Sequence, residues 1–413
     1  MRKKRQVIIG NGAAGLSAAR ALRRVDPSSA VTIISAESYP AYSPALLPYY
    51  LSGRIKESGM FIVDLEFYRR NGIEFMPGRE ATAVDAARQR VTFKDGSWLE
   101  YDNLLVASGG SPRRLNSHDG YMARVLTLRT INDARKILDT ARRSREILVS
   151  GAGLAGLEVV HALNRAGRKI TVMAKSRQIL SRNTDPETAA LIQKEIEKTG
   201  VKFLLGCDVT EIAPFKDKIR ISTDNDERLN VDMVIVGKGV GANIQIVKDQ
   251  VKTDRGILVD ERMRTSIPNI YAAGDVAQAG SLLTGGHEVF ANWPSACFEG
   301  EVAGLNMGGR DARLPGEVAY NILPVYGWSA AFMGDSMGSR PAIEVLRWSD
   351  EKNGRYRKLF LENNRLVGAV LFQEIADVGI ILHLINRQAD ISPYKDKLAS
   401  SPIRWGKVLH HLF

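Results

Sequence analysis

Cysteine is almost absent. The 413-residue chain carries two, Cys207 and Cys297. Two thiols cannot build a four-cysteine iron–sulfur cluster or zinc site, and their wide spacing is not that of a redox disulfide. Both are expected to be buried structural thiols. Histidine is also sparse: the six residues show no metal-ligand spacing, so no metal site is expected. Long apolar runs are missing. The best candidate, Val378 to Ile385, is interrupted by Gly379 and His383 and falls short of the ~20 residues of a membrane span. The basic start, Met1-Arg-Lys-Lys-Arg5, runs straight into a strand-like segment with no apolar leader. A cytoplasmic protein is therefore expected.

The composition that remains is that of a globular protein, 44% hydrophobic and 25% charged. Its balance is basic, with a net charge of +11. Part of the excess lies in Asn353–Phe413, where nine Lys/Arg face five Asp/Glu. A basic surface attracts acidic proteins, anionic lipid or nucleic acid, and charge alone does not choose among them. The cations are scattered rather than interleaved with aromatics, which disfavours nucleic acid.

A repeat organises the rest. The apolar run Val7-Ile8-Ile9 ends in Gly10-Asn-Gly-Ala-Ala-Gly15, followed by helix-forming Ala13 to Val25 and the β-branched stretch Val31–Ser35. The order returns at Ile147–Ser150, Gly151-Ala-Gly-Leu-Ala-Gly156, a helix to about Ala166, and a strand Lys169–Met173. Two strand–glycine turn–helix–strand units predict two dinucleotide-binding sites. In the first, Gly10 allows the tight turn, Gly12 lets backbone approach a pyrophosphate, and Gly15 lets the helix opened by Ala13 and Ala14 pack on its strand. The helix N-terminus then faces the phosphates. In the second, Gly151, Gly153 and Gly156 take the same places, with Leu154 and Ala155 opening the helix. Glu37, just past the second strand, is placed to accept hydrogen bonds from ribose hydroxyls. The matching segment of the second unit, Ala174-Lys175-Ser176-Arg177, has no acid. Lys175 and Arg177 would attract a 2′-phosphate, so this site leans toward NADPH over NADH.

Tyr101–Gly110 and Val231–Gly239 each read as a strand closing its unit, with Gly239 among the glycines that let backbone pass a cofactor. Asn292-Trp-Pro-Ser-Ala296 reads as a helix start, with Asn292 as cap and Pro294 in the first turn. From about Pro315 the pattern changes to strands at Ala342–Trp348, Tyr356–Glu362 and Leu366–Phe372 and a helix near Glu374–Asn386. This predicts a separate α+β domain.

These motifs resemble those of the two-dinucleotide-binding flavoproteins, the pyridine nucleotide–disulfide oxidoreductase superfamily. Its marks are Gly10–Gly15 for FAD, Ala107-Ser108-Gly109 in place of the usual Ala-Thr-Gly, Gly151–Gly156 with Glu158 for NADH or NADPH, and Ala273-Gly-Asp275. The resemblance implies that Asp275 holds the FAD ribityl chain, Ala81 borders the adenine and Glu158 lies near the nicotinamide. It implies that the Asn292-capped helix turns its positive end to the flavin, with Trp293 either against the flavin or packed in the core. The fold expected is α/β: a Rossmann-like FAD domain (1–113 and 253–314), a Rossmann-like NAD(P) domain (114–252) and a C-terminal α+β interface domain (315–413).

One segment departs from the family. Tyr42-Ser-Pro-Ala-Leu-Leu-Pro-Tyr49 resembles the flavin-facing helix start of coenzyme A disulfide reductases and NADH peroxidases or oxidases, which carry a catalytic cysteine there. Here Pro44 is followed by Ala45. Alanine is neither nucleophile nor sulfenic acid. The C-terminal stretch Tyr356–Val370 is similar instead to nitrite reductase flavin modules and to the flavoprotein subunit of phenylglyoxylate dehydrogenase. The resemblance implies an FAD-dependent NAD(P)H oxidoreductase passing electrons to or from an iron–sulfur protein or subunit, with no catalytic side chain. An NAD(P)H oxidase or quinone-type reductase acting alone, and a non-enzymatic flavin-bearing binding protein, are the alternatives. The family's use of its C-terminal domain implies a homodimer or a hetero-oligomeric complex.

Overall fold

The computed structural model describes residues 3–115, 123–164, 167–400, 403 and 405. The chain divides into two compact units, one of residues 1–50, 55–111 and 240–317, the other of 51–54, 112–239 and 318–413.

The first unit is built on a five-stranded parallel sheet in the order Ile270–Ala272, Asn103–Val106, Arg5–Ile9, Ala30–Ser35, Ile73–Pro77. The first strand of the chain lies at its centre, and residues such as Val7, Ile8, Ile33 and Leu104 are buried. Parallel strands need crossovers, and the first is the helix Ala13–Val25. Helix Trp293–Met307 packs on that helix. Gly300 and Gly304 make this possible, because a Cβ on either would run into the backbone of Ala14 or Ala18. A three-stranded antiparallel sheet, Ala81–Asp85, Arg90–Phe93 and Trp98–Glu100, is inserted between the third and fourth strands in sequence.

The second unit repeats the architecture. Its parallel sheet runs Lys202–Leu205, Lys169–Ala174, Glu146–Ser150, Met233–Val236, Val125–Leu126. The helix after its glycine turn is Leu154–Asn164; the expected end near Ala166 lies outside the described residues. A second antiparallel insert, Val209–Phe215, Lys218–Thr223 and Arg228–Val231, mirrors the one in the first unit.

The same unit contains a five-stranded antiparallel sheet, in the order Tyr320–Val325, Trp328–Gly334, Arg365–Phe372, Arg355–Glu362, Glu344–Asp350. The helix Val378–Arg387 lies against it. The three expected strands and the helix are present, each within a few residues of its expected bounds. The hairpin Tyr320–Gly334 was not foreseen. Its turn is Tyr326-Gly327, both at positive φ (49° and 87°), and Tyr-Gly is a weaker turn signal than Asn-Gly. Among the described residues no helix is long and apolar enough to cross a membrane. Cys207 is buried among Leu148, Met173 and Ile212, as expected, whereas Cys297 is only half-buried.

Candidate functional site

The first glycine turn sits at the C-terminal end of the central strand. Gly10 has φ +114°, and a side chain there would collide with the Ala107 carbonyl. Its N–H donates to Ile34 O at 2.8 Å. Gly15 is equally constrained: a Cβ would run into the Gly10 carbonyl and lie 3.2 Å from Ile8 Cγ2. Gly12 differs from both. Nothing lies within 4 Å of the position its Cβ would take. It also occupies the N-cap of helix Ala13–Val25, with no side-chain cap and no acid in the first turn. Ala13 and Ala14 are buried. The turn therefore offers open space in front of an uncapped helix N-terminus, the arrangement that receives a phosphate.

Other expected residues gather around it. Ala107 donates its N–H to Ile9 O at 2.8 Å. Ser108 keeps the hydroxyl of the usual threonine and uses it: Oγ donates to Asn243 O at 3.0 Å. Asn243 Nδ2 returns a bond to Ser108 O at 2.8 Å, and its N–H donates to Gly109 O at 2.9 Å. Gly109 stands at φ +65°. Gly274, with φ +79°, brings the turn before half-buried Asp275 against Ala14, 3.2 Å from its would-be Cβ. Asn292 caps the next helix by accepting the Ser295 N–H at 2.9 Å, with Pro294 in the first turn and Trp293 half-buried.

Glu37 is half-buried after the second strand, and both its oxygens accept from the Tyr42 hydroxyl, at 3.1 and 2.9 Å. Carboxylate oxygens hold further lone pairs, so Tyr42 orients the group without using it up. Gly78 N–H donates to Glu37 O at 3.2 Å and Arg79 N–H to Ser35 O at 2.8 Å. That brings Ala81, opposite Phe93 in the inserted sheet, within a few residues of the Glu37 loop. Pro44 and Ala45 lie in a short 3₁₀ turn, Pro44–Leu46, with Ala45 exposed.

Three residues of this cluster escaped the sequence reading. Tyr68 O–H donates to Asn11 Oδ1 at 3.0 Å and accepts the Ala41 N–H at 2.9 Å, tying the glycine turn to the loop that leads to Ala45. Tyr68 stacks on Phe75 at 4.3 Å, and burial pushes its phenol up from its ordinary pKa. Asn243, the partner of Ser108, is the third. The available signal was Asn11 itself, a polar residue between two glycines.

The second glycine turn has the same geometry. Gly151 has φ +125°, donates to Met173 O at 2.8 Å and abuts the Gly237 carbonyl. A Cβ on Gly156 would meet the Gly151 carbonyl, and Gly153 again has nothing within 4 Å. Leu154 and Ala155 open the helix, which has no acid in its first turn. Glu158, one turn in, is half-buried, and burial raises its carboxyl to about 7. Lys175 and Arg177 are exposed just beyond strand Lys169–Ala174, and among the described residues neither has an ion-pair partner. Gly206 N–H, donating to Ala174 O and Ser176 O at 2.9 and 3.0 Å, holds that loop. Gly239 is exposed at φ +84° with open space beside it, next to the Lys238–Asp208 ion pair.

The chain is similar to known proteins. Residues 4–300 match the pyridine nucleotide-disulphide oxidoreductase family, and residues 320–389 match the rubredoxin NAD+ reductase C-terminal domain. The epsilon subunit of an NADH-dependent phenylglyoxylate dehydrogenase from Aromatoleum evansii is 31% identical, over 98% of this chain and 96% of that one. An assimilatory nitrate reductase electron transfer subunit from Bacillus subtilis is 29% identical over 96% of this chain, which spans only 51% of it. The fold matches that of a covalent putidaredoxin reductase–putidaredoxin complex with a TM-score of 0.92 at 23% identity, covering 100% of this chain and 99% of that one. The chain belongs to the pyridine nucleotide-disulphide oxidoreductase family and is an oxidoreductase that uses FAD and NADH or NADPH.

Proposed function

We propose that the protein exchanges electrons between a nicotinamide cofactor and an iron–sulfur protein or partner subunit, without a redox cysteine. The observation that carries this reading is Ala45, exposed on the 3₁₀ turn, at the position where the resemblance to disulfide- and peroxide-reducing flavoproteins implies a thiol. Cys207 does not replace it, since it is packed into a core and burial and nearby acids push its pKa up. The C-terminal match to rubredoxin reductases and the resemblance to a dehydrogenase subunit support an iron–sulfur acceptor and membership of a complex. We read residues 1–113 with 253–314 as the FAD domain, 114–252 as the NAD(P) domain and 315–413 as the interface domain of a cytoplasmic protein. Contact with a second copy or a partner subunit is assigned to that last domain.

Bound FAD supplies hydride acceptance at N5 and release of electrons one at a time. The chain's own groups position and polarise. Gly12 and Gly153 leave room for the two pyrophosphates, each before a helix N-terminus. Glu37, oriented by Tyr42, accepts from the FAD ribose. Asp275 binds the ribityl chain, and the Asn292-capped helix favours negative charge on the reduced ring. Lys175 and Arg177 take the 2′-phosphate of NADPH.

Anaerobic stopped-flow reduction of the flavin by NADH and by NADPH tests this. Both are expected to bleach the flavin, NADPH with the higher efficiency. Replacing Lys175 and Arg177 together by alanine should lower NADPH efficiency roughly tenfold, about 1.4 kcal/mol, and leave NADH nearly unchanged. A wild-type preference for NADH of more than about tenfold sinks the 2′-phosphate assignment. No bleaching by either nucleotide sinks the reading as a reductase. Fast oxygen or quinone turnover by the isolated chain moves the function to an oxidase or quinone reductase.

A further inference from the structure

Behind the Gly274–Asp275 turn lies a pair of acids that the function above does not use. Glu299, on helix Trp293–Met307, is fully buried, and Glu317, in the segment that closes the first unit, is 7% exposed. The two carboxyls are within hydrogen-bonding reach of each other. Glu299 Oε2 accepts the Gly274 N–H at 2.6 Å. That leaves Oε1 of Glu299 and Oε1 of Glu317, both buried and neither with a donor.

No cation neutralises them. Among the described residues neither glutamate has an ion-pair partner, and the other charged group acting on Glu299 is Asp275, also acidic. Helix Ala13–Val25 presents Ala14 and Ala18 to this helix, and its Arg24 is taken by Glu301. One turn before Glu299, Ser295 offers a buried hydroxyl. Two ionised carboxylates in a dry site without a counter-charge are not sustainable; a proton has to be held there. One proton shared between the two carboxyls supplies a donor where the unpartnered oxygens have none. Burial and the charge of Glu317 act in the same direction, raising the Glu299 carboxyl well above its ordinary range.

We propose that Glu299 is a positioning residue, protonated in the folded protein, which donates one hydrogen bond to Glu317 and accepts one from Gly274, and so fixes the Gly274–Asp275 turn. The turn needs such a fixture. Gly274 is buried at φ +79°, wedged between Ala14 and Ala296, and its N–H has no acceptor other than Glu299 among the bonds of the described residues. That the fixed turn serves FAD rests on the reading of Asp275 given above.

The test separates the two claims. Infrared spectra of the holoprotein should show a buried protonated carboxyl that persists as pH rises above the ordinary carboxyl range and is lost in Glu299→Gln. In Glu299→Gln the amide can still donate to Glu317 while its carbonyl accepts from Gly274. FAD affinity should therefore stay within about twofold of wild type in Glu299→Gln but fall at least tenfold in Glu299→Ala. The folded-state pKa of Glu299 is raised, so its contribution to stability is lost as pH rises above the ordinary carboxyl range. As pH rises above the ordinary carboxyl range, Glu299→Gln should thus gain melting temperature relative to wild type. Absence of the carboxyl band, or no gain on the alkaline side, overturns the shared proton. A band that is present, with FAD affinity equal in Glu299→Gln and Glu299→Ala, overturns the link to the cofactor and leaves the acid pair standing.

Discussion

At the scale of single residues, the two glycine turns separate into positions that are closed and positions that are open. Gly10, Gly15, Gly151 and Gly156 each have backbone where a side chain would go, so their smallness serves the fold. Gly12 and Gly153 have nothing there, so theirs leaves room for a ligand. Glu158, which we propose lies near the nicotinamide, is half-buried on the helix that the second turn opens and carries a carboxyl raised to about 7 by burial. It is neutral below that pH and negative above it. A carboxylate favours the positively charged oxidised nicotinamide over the neutral reduced one. Affinity for NAD+ or NADP+ should therefore rise through pH 7, by roughly tenfold for each 1.4 kcal/mol of attraction, while affinity for the reduced nucleotide stays level or falls. In Glu158→Gln both titrations should be flat near neutrality. An oxidised-nucleotide affinity with the same pH dependence in the variant places Glu158 away from the ring.

At the scale of elements, helix Trp293–Met307 shows what a sequence discloses and what it withholds. Its start was legible, because Asn292 as cap and Pro294 in the first turn act locally, and the Asn292–Ser295 bond is there. Its partner was not. The spacing of Gly300 and Gly304 gains meaning only from Ala14 and Ala18, which lie far away in sequence. The same holds for Ser108 and Asn243, and for Glu299 on its helix and Glu317 outside it, whose pairings are tertiary. The hairpin Tyr320–Gly334 was hidden differently, by Pro324 inside one strand and by Tyr326, a poor turn former, at the first turn position. The glycine contact has a measurable consequence. At Gly304 alanine would gain about 1 kcal/mol of helix propensity, but its Cβ would lie against the Ala18 carbonyl and 2.8 Å from Ala18 Cα. Backbone cannot yield as a side-chain tip does, so Gly304→Ala should cost about 1–3 kcal/mol net. At Gly379, on helix Val378–Arg387 with nothing within 4 Å, alanine should be neutral or stabilising. Equal melting temperatures for the two variants contradict the close helix contact.

At the scale of the whole molecule, the question is what the charge of +11 does. The C-terminal segment supplies much of the surplus in sequence, yet two of its cations face inward. Arg357 is buried against Glu374 and Asp377, and Lys358 against Asp185 and Glu187. Another, Lys395, is engaged with Glu344. Among the described residues of that segment, Arg355, Arg365 and Lys397 stay exposed and outside the ion pairs. What survives pairing is the net field, which acts over a Debye length and guides encounter more than it tightens the final contact. An acidic iron–sulfur partner should then be reduced with an association rate that falls about tenfold between roughly 20 and 200 mM salt, while hydride transfer from NADH or NADPH to the flavin barely changes. The two steps can be read separately in one stopped-flow experiment, one by flavin bleaching and the other by partner reduction. A partner rate flat across that range would mean that shape and apolar contact, not charge, select the acceptor, and the basic balance would be a property of solubility alone.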